Sequence, residues 1–167
     1  MKLKCTKKLL DKLKIKNFEN ITTIGLNEDI ENWHCNIIDY GEVYAILMTN
    51  DKTLYSFFIF GISDDDLKNL DDFKEIIKQN VFKTMFGLGF TQEQTEKILD
   101  SLEDIQFSKT DNRGVVSSMT QMMHYVHSYM EDERDLLDIN RSLNTVIHTK
   151  LELNIPNREF ERLLNFF

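Results

Sequence analysis

Between residues 33 and 60 three apolar runs follow one another with no room for a helix between them. Trp33–Tyr40, Val43–Thr49 and Leu54–Phe60 are separated only by Gly41-Glu42 and by the segment that begins Asn50-Asp51-Lys52. Parallel neighbours need a crossover of a dozen or more residues, whereas antiparallel strands need only a tight turn. The three runs therefore predict an antiparallel meander. Val43–Thr49 is apolar on both faces, the pattern of a strand covered above and below. The remainder of the chain has to supply helices for both sides of that sheet, and three strands in a row argue against a doubly wound fold.

The flanking segments fit this demand. Met1–Thr6 alternates, with Lys2 and Lys4 on one face and Leu3 and Cys5 on the other, the period of a half-buried strand. Thr6 is placed to cap a short helix over Lys7–Lys14 that turns Leu9, Leu10 and Leu13 inward. Phe18–Asn32 lacks clear periodicity and reads as a loop. Ser63, with Asp66 at the capping-box position, opens a long helix whose stripe is Leu67, Leu70, Phe73, Ile77 and Val81. Gly87-Leu88-Gly89 ends it. Thr91 and Gln94 form a second capping box before Ile98, Leu99 and Leu102. Ile105–Ser108 reads as a strand, and Val115–Met130 is the clearest amphipathic helix, with Val115, Met119, Met123, Val126 and Met130 along one stripe. Asp135–Ile147 and Asn157–Phe166 are further helices. The expectation is one α+β domain over residues 1–167, with an antiparallel or mixed sheet of four to five strands and about five to six helices.

Twelve Phe, five Tyr and seven Met among 167 residues are enough for a substantial core. The formal net charge of -8 is unevenly spread: residues 1–16 carry +6 and the rest -14. An acidic body excludes a broad nucleic-acid footprint, which needs clustered Lys and Arg. The lysines of the opening segment are expected on the solvated face of an edge strand and helix, where they discourage edge pairing. No apolar run approaches the ~20 residues of a membrane span, and the first sixteen residues lack the continuous apolar stretch of a secretory signal. A cytoplasmic protein with no membrane contact is expected. Cys5 and Cys35 form no CxxC pair and read as free, buried thiols. One alanine, one proline and many Lys, Asn and Ile follow A/T-rich codons, which suits a low-GC bacterium or a mobile element.

Several residues invite a chemical reading. Trp33, His34 and Asn36 at a strand start, together with Arg113 before the amphipathic helix, form the candidate ligand site, since polar residues at strand and helix starts can converge. Arg113 either points outward or folds back, its planar fork bonding a carboxylate or the carbonyls of Trp33–Asn36. His124, His127 and Glu131 share one side of a helix and could offer a metal two imidazoles and a carboxylate, but that side is turned from the apolar stripe. The expectation is therefore no metal and no cofactor. Asp64-Asp65-Asp66 suits a helix start rather than a cation site. Gly87-Leu88-Gly89 follows a helix instead of a strand and is no phosphate loop. Ser117 and Ser118 have no local base.

The motifs Cys5-Thr6-Lys7-Lys8-Leu9, Trp33-His34-Cys35-Asn36, Asn50-Asp51-Lys52-Thr53 and Arg113-Gly114-Val115-Val116-Ser117-Ser118-Met119-Thr120, followed by Leu143-Asn144 and Pro156, occur in the order found in an uncharacterised bacterial family, a domain of unknown function. The chain resembles that family over nearly its whole length. It departs from the pattern where Cys35 replaces Ala, Gly114 replaces Ser, Ser117 replaces Leu, Ser118 replaces Gly and Thr120 replaces Asn. The resemblance implies no activity. The residues themselves favour a non-enzymatic module that binds a protein partner, of antitoxin or anti-defence type. The alternatives are a small-ligand-binding domain or enzyme built on Trp33, His34, Asn36 and Arg113, and an acidic mimic of nucleic acid.

Overall fold

The computed structural model describes residues 1–16 and 28–166. Five strands form one mixed sheet: β1 (Lys2–Cys5), β2 (Asn32–Asp39), β3 (Tyr44–Asn50), β4 (Ser56–Ile62) and β5 (Gln106–Lys109), in the order β4-β3-β2-β1-β5. The meander β2-β3-β4 is antiparallel, as the short connectors require. Gly61, at φ 87°, is the extra residue where Tyr44 pairs Ile62 and Ala45 pairs Phe60, a bulge whose backbone conformation suits glycine. β1 runs parallel to both β2 and β5, so it lies inside the sheet and is not the expected edge. The reason is non-local: β5, a hundred residues downstream, adds on its far side.

Seven helices among the described residues cover the two faces. These are α1 (Lys7–Lys12), α2 (Glu28–Glu31), α3 (Leu70–Leu88), α4 (Gln92–Ser101), α5 (Arg113–Glu131), α6 (Leu136–Leu143) and α7 (Pro156–Phe166). The α2 turn falls within the segment read as a loop, and residues 18–27 of that segment lie outside the described residues. None of the helices is long and apolar enough to cross a membrane.

One face of the sheet carries Leu3, Cys5, Trp33, Cys35, Ile46, Met48 and Phe57 under α1, α3, α4 and α7. An aromatic group centres this core: Trp33 stacks on Phe57 at 5.4 Å and Tyr55 stacks on Phe160 at 4.2 Å. Cys5 and Cys35 are free, buried and paired in register, and burial pushes the Cys35 thiol up. The other face carries Ile38, Ala45, Leu47 and Phe58 under Val115, Met119, Met122 and Val126 of α5 and Ile139 and Leu143 of α6.

Capping chemistry is local and mostly as read, with two shifts. Thr91 and Gln94 form a complete capping box, and Gly89 closes α3 in the left-handed region. Ser63 and Asp66 also bond reciprocally, but they close a turn; the helix proper starts after Asn69, whose side chain accepts from Asp71 N. Thr6 stands at the N-cap of α1 without capping it, because its hydroxyl donates to Asn36 Oδ1 at 2.8 Å.

The outer edge of β4 is closed by side chains rather than by a strand. Asn140 accepts from Phe58 N at 2.8 Å and donates to Phe58 O at 2.9 Å. One helical turn on, Asn144 accepts from Ser56 N at 2.7 Å and donates to Ser56 O at 2.7 Å. Residues i and i+4 of a helix thus match residues i and i+2 of a strand, each amide reproducing a peptide's donor and acceptor. Both asparagines are buried. Replacing either by alanine strands a buried N–H and C=O together, and Asn140→Ala and Asn144→Ala are each expected to lose about 2 kcal/mol in urea unfolding.

Candidate functional site

The register places Ser108, Lys4, His34, Thr49 and Ser56 side by side on five consecutive strands, on the face beneath α5. A polar row therefore crosses an otherwise apolar surface. Thr49 and Ser56 hydroxyls bond each other at 2.8 Å, and Ser56 also donates to Met122 Sδ at 3.1 Å. Ser108 Oγ is buried and without a partner among the described residues.

The charged half of the row is organised by the β3–β4 turn. Buried Asn50 accepts from the backbone N–H of Lys52 and Thr53 and from the Thr53 hydroxyl, and donates to the carbonyls of Asp29 and Asn32. The turn is thereby fixed with Asp51 aimed back across β2. Asp51 Oδ1 lies 2.5 Å from His34 Nδ1, and its Oδ2 2.6 Å from Lys4 Nζ. Lys4 reaches on to Asp111 Oδ1 at 3.0 Å, in the β5–α5 connection. His34 Nε2 receives the Asn112 amide at 3.3 Å and faces Asp111 Oδ1 at 3.5 Å. Asn112 is itself the N-cap of α5, accepting from Gly114 N and Val115 N. Since the Asn112 N–H can only donate, Nε2 accepts and the ring proton sits on Nδ1, towards Asp51.

His34 is fully buried, and the side chains of Lys4 and Asp51 keep 10% and 17% of their exposure. Burial pushes the Asp51 carboxyl up, but the bonds from His34 and Lys4 outweigh it and hold the group below the usual carboxylate value. For Lys4 burial lowers the ammonium, and the bonds from Asp51 and Asp111 reverse this, leaving it raised. Donor atoms of His34, Asp51 and Asp111 lie within 4.8 Å of one another, the one such trio among the described residues. The cation these carboxylates hold is Lys4. An additional divalent ion would have to expel an ammonium that already bonds both.

The four residues of the sequence-based ligand site separate. Trp33 lies on the opposite face of β2 from His34, fully buried, its Nε1 donating to Ile30 O at 2.6 Å. Asn36 bonds Thr6 and Met123. Arg113 is exposed at the first position of α5, with no polar partner among the described residues. The contact expected of Arg113 with the β2 segment is made by its neighbours, Asp111 and the Asn112 amide. His124, His127 and Glu131 are exposed on α5, where His127 meets Tyr40. Lys4, assigned to a solvated edge, is instead the buried cation of the cluster, because β5 and Asp111 enclose it. Sequence reasoning missed Lys4, Asp51 and Asp111; the signal was Asp51 within Asn50-Asp51-Lys52-Thr53, a turn rich in residues that bond their own backbone.

A second feature lies at the other end of the chain. A groove of about 570 Å³ runs between the β3–β4 turn, residues 150–152 and α7, and an adjoining recess of about 450 Å³ shares Arg162 and Phe166 with it. Phe166 and Leu153 are exposed there, at 78% and 38%. The groove's acids are engaged: Arg162 holds Glu152 at 2.8 Å and Glu159 at 2.7 Å, and Lys52 faces Asp29 at 3.8 Å. Lys150 and Arg158 are exposed and have no anionic partner among the described residues.

Two outcomes test the charged cluster. Lys4→Met leaves Asp51 buried without its cation and is expected to cost about 2–3 kcal/mol in urea unfolding, below the full cost of breaking a buried pair because Asp51 keeps some solvent. The Asp51 contribution is complete above its unfolded value near pH 4 and is lost as pH falls through the lower folded value. Urea midpoints between pH 6 and 2 should therefore fall more steeply for the natural protein than for Asp51→Asn.

Comparison with known proteins gives one family. The model of DUF6933, a domain of unknown function, matches residues 2–159. No curated protein and no solved structure matches.

Proposed function

We propose, for a chain that belongs to the DUF6933 family, the role of a protein-interaction module that receives an acidic, apolar-bearing segment of a partner protein in the groove beside α7. The observation that carries this reading is the state of charge in that groove. Asp29, Glu152 and Glu159 face Lys52 or Arg162, and Glu161 of the adjoining recess accepts from Asn157, while Lys150 in the groove and Arg158 in the recess have no ion-pair partner among the described residues and lie near exposed Leu153 and Phe166. Unpaired cations flanking apolar surface suit carboxylates that flank a large apolar side chain. The acidic body disfavours such a partner at long range, but salt screens that repulsion beyond about 8 Å, and the groove's own groups decide the contact. A cytoplasmic regulator of a low-GC bacterium or mobile element, of antitoxin or anti-defence type, fits the composition. The ligand-binding alternative at His34 has less support, because both ring nitrogens are already engaged.

The probe is a fluorescein-labelled twelve-residue peptide of Glu and Leu with a central Phe, titrated into the full chain. Binding is expected near the micromolar range, and Lys150→Glu with Arg158→Glu should weaken it at least about tenfold. Equal binding by the double variant, or equal binding of a peptide with Lys in place of Glu, contradicts the reading.

A further inference from the structure

We propose that His34 is a proton-operated latch on α5: neutral, it holds the Asn112 amide at the helix N-cap, and protonated, it releases that amide and donates its new N–H to Asp111 instead. The geometry offers two mutually exclusive partners to one nitrogen. Nε2 lies 3.3 Å from the Asn112 N and 3.5 Å from Asp111 Oδ1. As a lone pair it accepts from the amide; as an N–H it meets that amide donor to donor and finds a carboxylate beside it. Nδ1 keeps its bond to Asp51 in both states, so the ring need not turn.

The charged groups facing His34 come from three elements: Lys4 on β1, Asp51 from the turn after β3, and Asp111 from the β5–α5 connection. Arg113 opens α5 itself and is exposed. Two carboxylates oppose one buried ammonium, so an imidazolium brings this group to neutrality. Asp51 is held below the usual carboxylate value by its bonds from His34 and Lys4. What the latch grips has consequences beyond the ring. Asn112 caps the first turn of α5, and Val115 and Met119 follow in the core. Release of the Asn112 amide loosens the N-terminal turn of a helix that, with α6, covers one sheet face.

The test is NMR on the natural protein. Ring nitrogen shifts should report the Nδ1–H tautomer at neutral pH. As pH is lowered, His34 ring protonation should coincide with a shift of the Asn112 amide and with an approximately tenfold loss of its protection against exchange. Asp111→Asn, at a side chain 57% exposed, should move the ring titration to lower pH, because the protonated form loses its acceptor. A ring that titrates while the Asn112 amide is unchanged, an Nε2–H tautomer at neutral pH, or a ring that stays neutral down to acid unfolding overturns the proposal.

Discussion

Two asparagine side chains on one helix turn close the open edge of the sheet, and the second layer of the protein depends on that closure. β4 would otherwise present the peptide groups of Ser56 and Phe58 unpaired, in a part of the molecule where both residues are buried. An edge can be blunted by charge, by a bulge or by a cover. Here the cover is α6, and its attachment is specific: a shift of one residue along either element would break all four bonds. The same docking sets Leu137 against Gly87 of α3, where a Cβ would approach to 2.9 Å.

The α5–α6 layer is thus pinned to the sheet by polar contacts near both of its margins. Asn140 and Asn144 fix α6 over β4; Lys4, His34, Asp51 and Asp111 fix the start of α5 over β1 and β2. Between them Val115, Met119, Met122 and Val126 supply apolar contact with no directional demand. Apolar burial provides most of the driving force, while the two polar attachments select one register. The groove beside α7 lies at the margin of this arrangement, bounded by the turn that Asn50 organises, so the turn contributes both to the charged cluster and to the proposed docking surface.

Legibility in the sequence followed the range of the interaction. The meander, the Thr91–Gln94 box, the glycine stop of α3 and the burial of Cys5 and Cys35 were readable, because each depends on neighbours a few residues away. The placement of β1 inside the sheet was not, since it rests on pairing with β5 a hundred residues later, and with it went the burial of Lys4. Arg113 illustrates the limit. The residue singled out in the β5–α5 connection was Arg113, to point outward or fold back on the Trp33–Asn36 segment; the groups there that reach His34 are Asp111 and the Asn112 amide, and a backbone amide leaves no trace in residue identity. Leu143-Asn144 stood out only through the family resemblance; nothing in its periodicity announces an asparagine that imitates a strand.

The most direct measurement of this account is native-state hydrogen exchange along β4. Ser56 and Phe58 amides point away from β3 and should exchange as slowly as those of Phe57 and Ile59, which pair with it, because Asn144 and Asn140 hold them in every globally folded molecule. If Ser56 and Phe58 instead exchange at the rate of a frayed edge while Phe57 and Ile59 stay protected, the asparagines do not close the sheet and the account of the second layer is wrong.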